Sequence, residues 1–289
     1  MNSNETDPQP LAARASRARL VATLLLVAAG LTLLTGCNKL KARDNLNKGV
    51  QAYKNAKYED AIERFKDAVN LDPTLVNARL YLATAYAQQY IPGVETPDNL
   101  KNAEQAIDEF KKVLDQNPAR EAQVGSLKGI ASLYFQMKKM DLAKEYNRKV
   151  IELDPNDPET YYSIGVIDWT VTYAPRMEAR AALGLKPTDE LKDKKTCDLL
   201  KDKNTAAVAE GIDMLKKSID LRPDYDDAMA YMNLMYRERA DIECDNLDQR
   251  KADLRTADDW VDKTLAVKKA KAEKKGSAGA IVIDQPESK

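Results

Sequence analysis

One spacing recurs four times in the chain. Ala61, Phe65, Ala68 and Pro73 stand four, three and five residues apart, and Ala106, Phe110, Val113 and Pro118 repeat those intervals. So do Ala143, Asn147, Val150 and Pro155, and then Gly211, Leu215, Ser218 and Pro223. Steps of four and three place side chains on one face of a helix. A proline biases the residue before it away from helical geometry, which ends the helix. A helical stripe that recurs in this way cannot close a core by itself. Each unit must seal its apolar side against a neighbouring copy, which predicts an all-α solenoid.

Composition narrows the chemistry. The 289 residues allow one elongated array or two ordinary domains. Charged residues make up 31% and aromatics 6%, a balance that suits helix surface better than a thick globular core. Lys and Glu are interspersed as on solvated helix faces. A net charge of −1 gives no electrostatic case for a nucleic-acid partner. There is no histidine, which removes the commonest general base and the commonest transition-metal ligand together. The 11 glycines are not grouped as a phosphate loop requires, and no Cys-x-x-Cys pair offers a structural zinc site. Asp226-Asp227, just after Pro223, read as helix-capping residues. The expectation is a chain with no catalytic site, no metal and no cofactor.

Residues 1–36 read as a segment apart from the fold. Arg14, Arg17 and Arg19 precede an apolar run from Leu20 to Leu34, which ends in Leu34-Thr35-Gly36-Cys37. Basic, then apolar, then small residues is the order of a secretory signal. The run is shorter than the ~20 residues that span a bilayer as a helix, although a short uncleaved anchor is the competing reading. The segment resembles the lipobox of bacterial lipoproteins. That resemblance implies cleavage before Cys37 and acylation of its thiol, with diacylglycerol and palmitate as the lipid. Several acyl chains anchor stably where one is marginal. It also implies a periplasm-facing location at the outer membrane, because Asn38 stands where an Asp would favour inner-membrane retention. Residues 37–41 then form a lipidated linker.

Each of the four spacings is the second helix of a pair. The first helix carries an apolar residue, a small residue and then an aromatic: Leu82-Ala83 with Tyr86, and Ile130-Ala131 with Tyr134. Ile164-Gly165 keeps the pair, but Asp168 replaces the aromatic and Trp169 sits beside it. Met232-Asn233 with Tyr236 continues the series, and in the first unit Gly49 holds the small place with Tyr53 nearby. A small residue lets the partner helix pack close, and a ring fills the space one turn away.

These residues resemble the tetratricopeptide repeat, a helix–turn–helix with a period of 34 residues. The resemblance implies a right-handed α-solenoid of about five units over residues 42–275. The units are 42–75, 76–120, 121–157, 158–225 and 226–275. Pro73, Pro118, Pro155 and Pro223 lie more than one such period apart, and added loops cost little closure entropy. One excess falls near Gln89–Leu100, around Pro92, Gly93 and Pro97. The largest reads as an insertion over 174–204, between the two helices of the fourth unit. Two short helices are expected in it, at Arg176–Leu183 and Thr188–Lys201; a degenerate extra repeat is the alternative. The last helix, Arg250–Lys274, ends in several lysines and reads as a polar end cap. Residues 276–289 read as a disordered tail.

Cys197 lies in the insertion and Cys244 in the corresponding connection of the fifth unit. Such connections emerge on one edge of a solenoid, so the two thiols either pair, in a compartment where disulfides persist, or remain separate. In the tetratricopeptide family the first helices line a concave groove. The resemblance therefore places Tyr53, Lys128, Phe135, Tyr162, Trp169 and Arg237 along a partner-binding surface. The four rings are of the type enriched at binding hot spots. Some members of the family grip a terminal carboxylate with Lys, Asn and Arg. Arg43, Asn47 and Lys128 are the nearest equivalents, and the full set is absent.

The functional expectation is a non-enzymatic, lipid-anchored scaffold that presents its groove to a protein or peptide partner in envelope assembly. An adaptor or regulator of cell-wall enzymes is an alternative. A third is an enzyme with its site in the 174–204 insertion.

Overall fold

The computed structural model describes residues 36–186 and 189–278. Residues 1–35, 187–188 and 279–289, which carry nearly all of the leader and most of the expected tail, lie outside the described residues. Among the described residues the chain is all-α, with no strand. It divides between Pro118 and Ala119 into two compact units.

The first unit holds α1 (36–54), α2 (Tyr58–Leu71), α3 (Val76–Gln89) and α4 (Pro97–Asp115). Ala61, Phe65 and Ala68, the motif residues of α2, are its buried face. The Phe65 ring lies on Gly49 of α1, where a Cβ would come within 2.5 Å of it. Full burial of such a ring is worth about 1.5–3 kcal/mol. Ala56 takes a left-handed φ of 57° in the α1–α2 turn. In the longer α3–α4 connection the buried Asn99 side chain accepts from the Ile91 amide at 2.7 Å. It donates to the Ile91 and Val94 carbonyls at 2.8 and 2.6 Å. Thr96 caps α4 by accepting from the Asn99 amide, and Pro97 opens the helix where no amide donor is needed.

The second unit holds α5 (Arg120–Gln136), α6 (Met140–Leu153), α7 (Pro158–Ala182), α8 (Lys194–Leu221), α9 (Asp226–Ala240) and α10 (Leu247–Ala278). Each pair again buries its motif residues: Ala143, Asn147 and Val150 on α6, and Gly211, Leu215 and Ser218 on α8. Leu215 sits on Gly165 of α7, as Phe65 sits on Gly49; a Cβ at Gly165 would fall 2.5 Å from Leu215.

The 174–204 segment differs from its sequence expectation. Among the described residues there are no two separate short helices. α7 continues through Pro175 to Ala182, and α8 begins at Lys194. A proline inside a helix removes one amide donor. In the turn before it, the buried Asn204 of α8 donates to the Thr172 carbonyl at 3.2 Å, and the Thr172 hydroxyl donates to the Asp168 carbonyl at 3.0 Å.

Tertiary contacts hold this extension in place. Arg176 donates from Nε to Asp241 at 2.7 Å and pairs with Glu238 at 2.8 Å, while Arg180 pairs with Asp241 at 2.6 Å. Arg180 also donates to the carbonyls of Lys186 and Asp189. Cys197 and Cys244 are joined as a disulfide, with Cα atoms 5.5 Å apart. Leu191 and Leu200 add apolar contacts to the same core.

Candidate functional site

α5 and α7 are first helices of consecutive pairs, and α6 packs against both. Between them lies a cavity of ≈ 420 Å³. Ala131, Phe135, Tyr162, Val166 and Ile167 give it apolar walls, and Lys128, Ser132 and Glu159 form part of its polar lining. That volume falls in the range of small-ligand and side-chain pockets. Of the residues expected along the groove, Lys128, Phe135 and Tyr162 meet here.

Lys128 is not a free cation. Its ammonium lies 2.7 Å from Asp157, the cap of α7, and 3.8 Å from Glu159. Burial opposes ionisation of Asp157, yet the bonds from Lys128 and Thr160 hold its carboxyl below the usual carboxylate range. A cation already spent on a helix cap is a poor carboxylate clamp.

Asn147 of α6 also lines this cavity. It is 5% exposed, and its amide nitrogen donates to the Ala143 carbonyl at 2.9 Å. Its carbonyl oxygen accepts no hydrogen bond from the described residues. By spacing, Asn147 occupies the place of Phe65, Phe110 and Leu215 in the other pairs.

Trp169 points into a different cluster, on α7 and α9. Ring centroids run Tyr225–Tyr162 at 5.0 Å, Tyr162–Tyr231 at 5.6 Å, Tyr231–Trp169 at 5.4 Å and Trp169–Tyr173 at 4.7 Å. Burial pushes the Tyr162 hydroxyl up, with Tyr231 and Asp227 adding to the effect, and burial together with Glu159 pushes Tyr225 up to about 12. These phenols stay protonated and able to donate at any physiological pH. Tyr173 remains 39% exposed at the end of the row. Tyr173, Tyr225 and Tyr231 are not expected here from sequence: only Tyr173 lies near Trp169 along the chain, and Tyr225 and Tyr231 reach it through the packing of α9 on α7.

Arg237 lies farther along α9, at a second cavity of ≈ 490 Å³ that Tyr173, Met177, Arg250 and Leu254 also line. Arg237 donates to Asn233 at 2.9 Å and to Asp258 at 2.7 Å. Tyr53 belongs to the first unit, half-buried against Tyr58 with centroids 5.4 Å apart. Asp168, which stands in the place of the repeat's aromatic, is fully buried and pairs with Lys144 at 2.6 Å. Lys144 also reaches Glu210 at 2.5 Å. Burial pushes the Asp168 carboxyl up to about 6 despite that lysine, and its Oδ2 has no partner. Among the described residues no cluster of His, Cys, Asp and Glu could hold a metal ion, and no helix is long and apolar enough to cross a membrane.

A tetratricopeptide repeat model matches residues 129–157, which lie within the α5–α6 pair and its exit turn. No curated protein matches the chain. Among solved structures, a crystal structure of MamA protein aligns with a TM-score of 0.52 at 15% identity, covering 85% of this chain and 98% of that one. MamA from Desulfovibrio magneticus RS-1, beginning at residue 41, aligns with a TM-score of 0.52 at 18% identity, covering 80% of this chain and 96% of that one. At such identities the likeness speaks to fold alone. The fold is that of an all-α solenoid built from helix pairs, one of which matches the tetratricopeptide repeat.

Proposed function

We propose that this chain is a non-enzymatic protein-binding scaffold of the bacterial envelope. It is tethered through lipid on Cys37, faces the periplasm from the outer membrane, and offers the α5–α7–α9 face to a protein partner in envelope assembly. The observation that carries the binding reading is the α5–α7 cavity, in which Lys128, Phe135 and Tyr162 converge around apolar walls. Rings at the edge of a desolvated pocket are the usual anchors of protein association. The tether rests on the leader and on Cys37, which is exposed and unpaired at the start of α1. Anchoring raises the effective concentration of the scaffold for partners at the same membrane.

Two experiments test this reading. Photo-crosslinking residues at Phe135 and Tyr162, introduced in cells, should trap one discrete protein, whereas the same probe on an exposed α8 position should not. Cys37→Ser should lose lipid label and leave the membrane fraction. Equal crosslinking from α8, or membrane retention of an unlabelled Cys37→Ser protein, would count against the respective half of the proposal.

A further inference from the structure

The helix pairs fill one position in three ways. Phe65 fills it with a ring over Gly49, Leu215 fills it with an aliphatic side chain over Gly165, and Phe110 is again a buried ring. The third pair alone puts an amide there, Asn147, and in the third pair the α5–α7 cavity opens, with Ala131 and Asn147 both on its lining. Asn147 is shorter than the rings of Phe65 and Phe110, so it fills less of that position. It also adds an acceptor to the pocket's mixed lining: its nitrogen donates to the Ala143 carbonyl, and its carbonyl oxygen takes no hydrogen bond from the described residues. A donor that enters the recess would complete the amide's hydrogen bonding.

We propose that the partner supplies what this pair lacks. An aromatic side chain with a hydrogen-bond donor at its tip, Tyr or Trp, enters between α5 and α7. It stacks against Phe135 and Tyr162 and donates to the Asn147 carbonyl. The occupant takes the role that Phe65 and Phe110 play within their own pairs. Charge does not select it, because Lys128 at the rim is already neutralised by Asp157 and Glu159. The inference rests on the scaffold reading above and assigns Asn147 as the residue that sets specificity.

The test uses the full chain in detergent and a random-peptide phage library. Selection on the unaltered protein should enrich peptides with one fixed Tyr or Trp. Asn147→Phe restores the ring of the other pairs; it should raise the thermal unfolding midpoint and weaken the selected peptides by at least about tenfold. Asn147→Ala keeps the space but removes the acceptor, and selection on it should drift from Tyr and Trp towards Phe. Peptides that bind Asn147→Phe as well as the unaltered chain would overturn the assignment while leaving the scaffold reading intact. A lowered midpoint for Asn147→Phe would also overturn it, since the cavity would then not be the space of a missing ring. Failure to select any peptide on the unaltered chain would instead remove the scaffold reading itself.

Discussion

The gap between α5 and α7 and the gap between α7 and α9 are built from equivalent repeat positions, yet one is hollow and the other is filled. In the first, Asn147 faces Ala131 and a cavity remains. In the second, Leu215 is fully buried on Gly165, five rings run along the face, and a buried ionic cluster with a disulfide fastens the α7 and α8 extensions to the α9–α10 end. The difference shows how a repeat array separates tasks. Where the repeat position keeps its apolar side chain, the gap contributes to stability. Where it is exchanged for a short polar one, part of that stability is forgone and a recess is gained.

Four changes probe the contrast, from the largest expected effect to the smallest. Leu215→Asn would hollow the filled gap as Asn147 hollows the other. Deleting a fully buried aliphatic group and burying an unpaired amide should cost about 4–5 kcal/mol in urea unfolding. A cost near zero would mean that the two gaps are not equivalent. Asp241→Ala would strand Arg176 and Arg180 without their shared carboxylate, and losing one partner of such a buried cluster should cost about 3–5 kcal/mol. Opening the Cys197–Cys244 bridge, which spans 47 residues, should lower stability by about 2–4 kcal/mol in denaturation with and without reductant. The α5–α7 cavity should keep its peptides after reduction, because it lies outside the bridged region.

The fourth change is read through pH. Burial pushes the Glu238 carboxyl from its ordinary 4.5 up to about 7, against the pull of Arg176, and its Oε2 has no partner. Between those two values the folded protein holds a proton that the unfolded chain has released. Stability from this group is therefore full below about 4.5 and declines as pH rises towards 7, by roughly 1 kcal/mol per pH unit. Glu238→Gln keeps an acceptor for Arg176 and should flatten that decline, measured as the difference between the two unfolding profiles so that other carboxylates cancel. Parallel profiles would show that Glu238 is ionised throughout.

Local patterns foretold much of the fold. The 4–3–5 spacings give the second helices, and α9 runs from Asp226 to Ala240 as expected; Asp226 and Asp227 do not cap it, however, since Tyr225 holds the cap position without a side-chain bond and the two carboxylates stand in the first turn, where their negative charge offsets the helix dipole. A proline in sequence normally marks a break, yet α7 carries on through Pro175; Asn204, ten residues into α8, donates to the Thr172 carbonyl in the turn before it. At the candidate site, the family resemblance puts Lys128, Phe135 and Tyr162 on the groove, and the structure brings them to one cavity. Trp169 was expected on the same surface and is instead half-buried among Tyr173, Tyr231 and the α7–α9 core. Asn147 was visible in the motif as an odd residue, but nothing in a single sequence says whether the neighbouring helices collapse onto a short side chain or leave it a space.

Sequence by itself therefore determined the helix pairs, the faces they bury and the polar exterior, since these follow from spacing within a few turns of one chain. Only the tertiary structure decided which gaps close. Whether a space at Asn147 persists, whether Arg176 meets Glu238 across 62 residues, and which rings meet Trp169 depend on distances between helices. Those distances are set by the packing of all the neighbouring side chains at once.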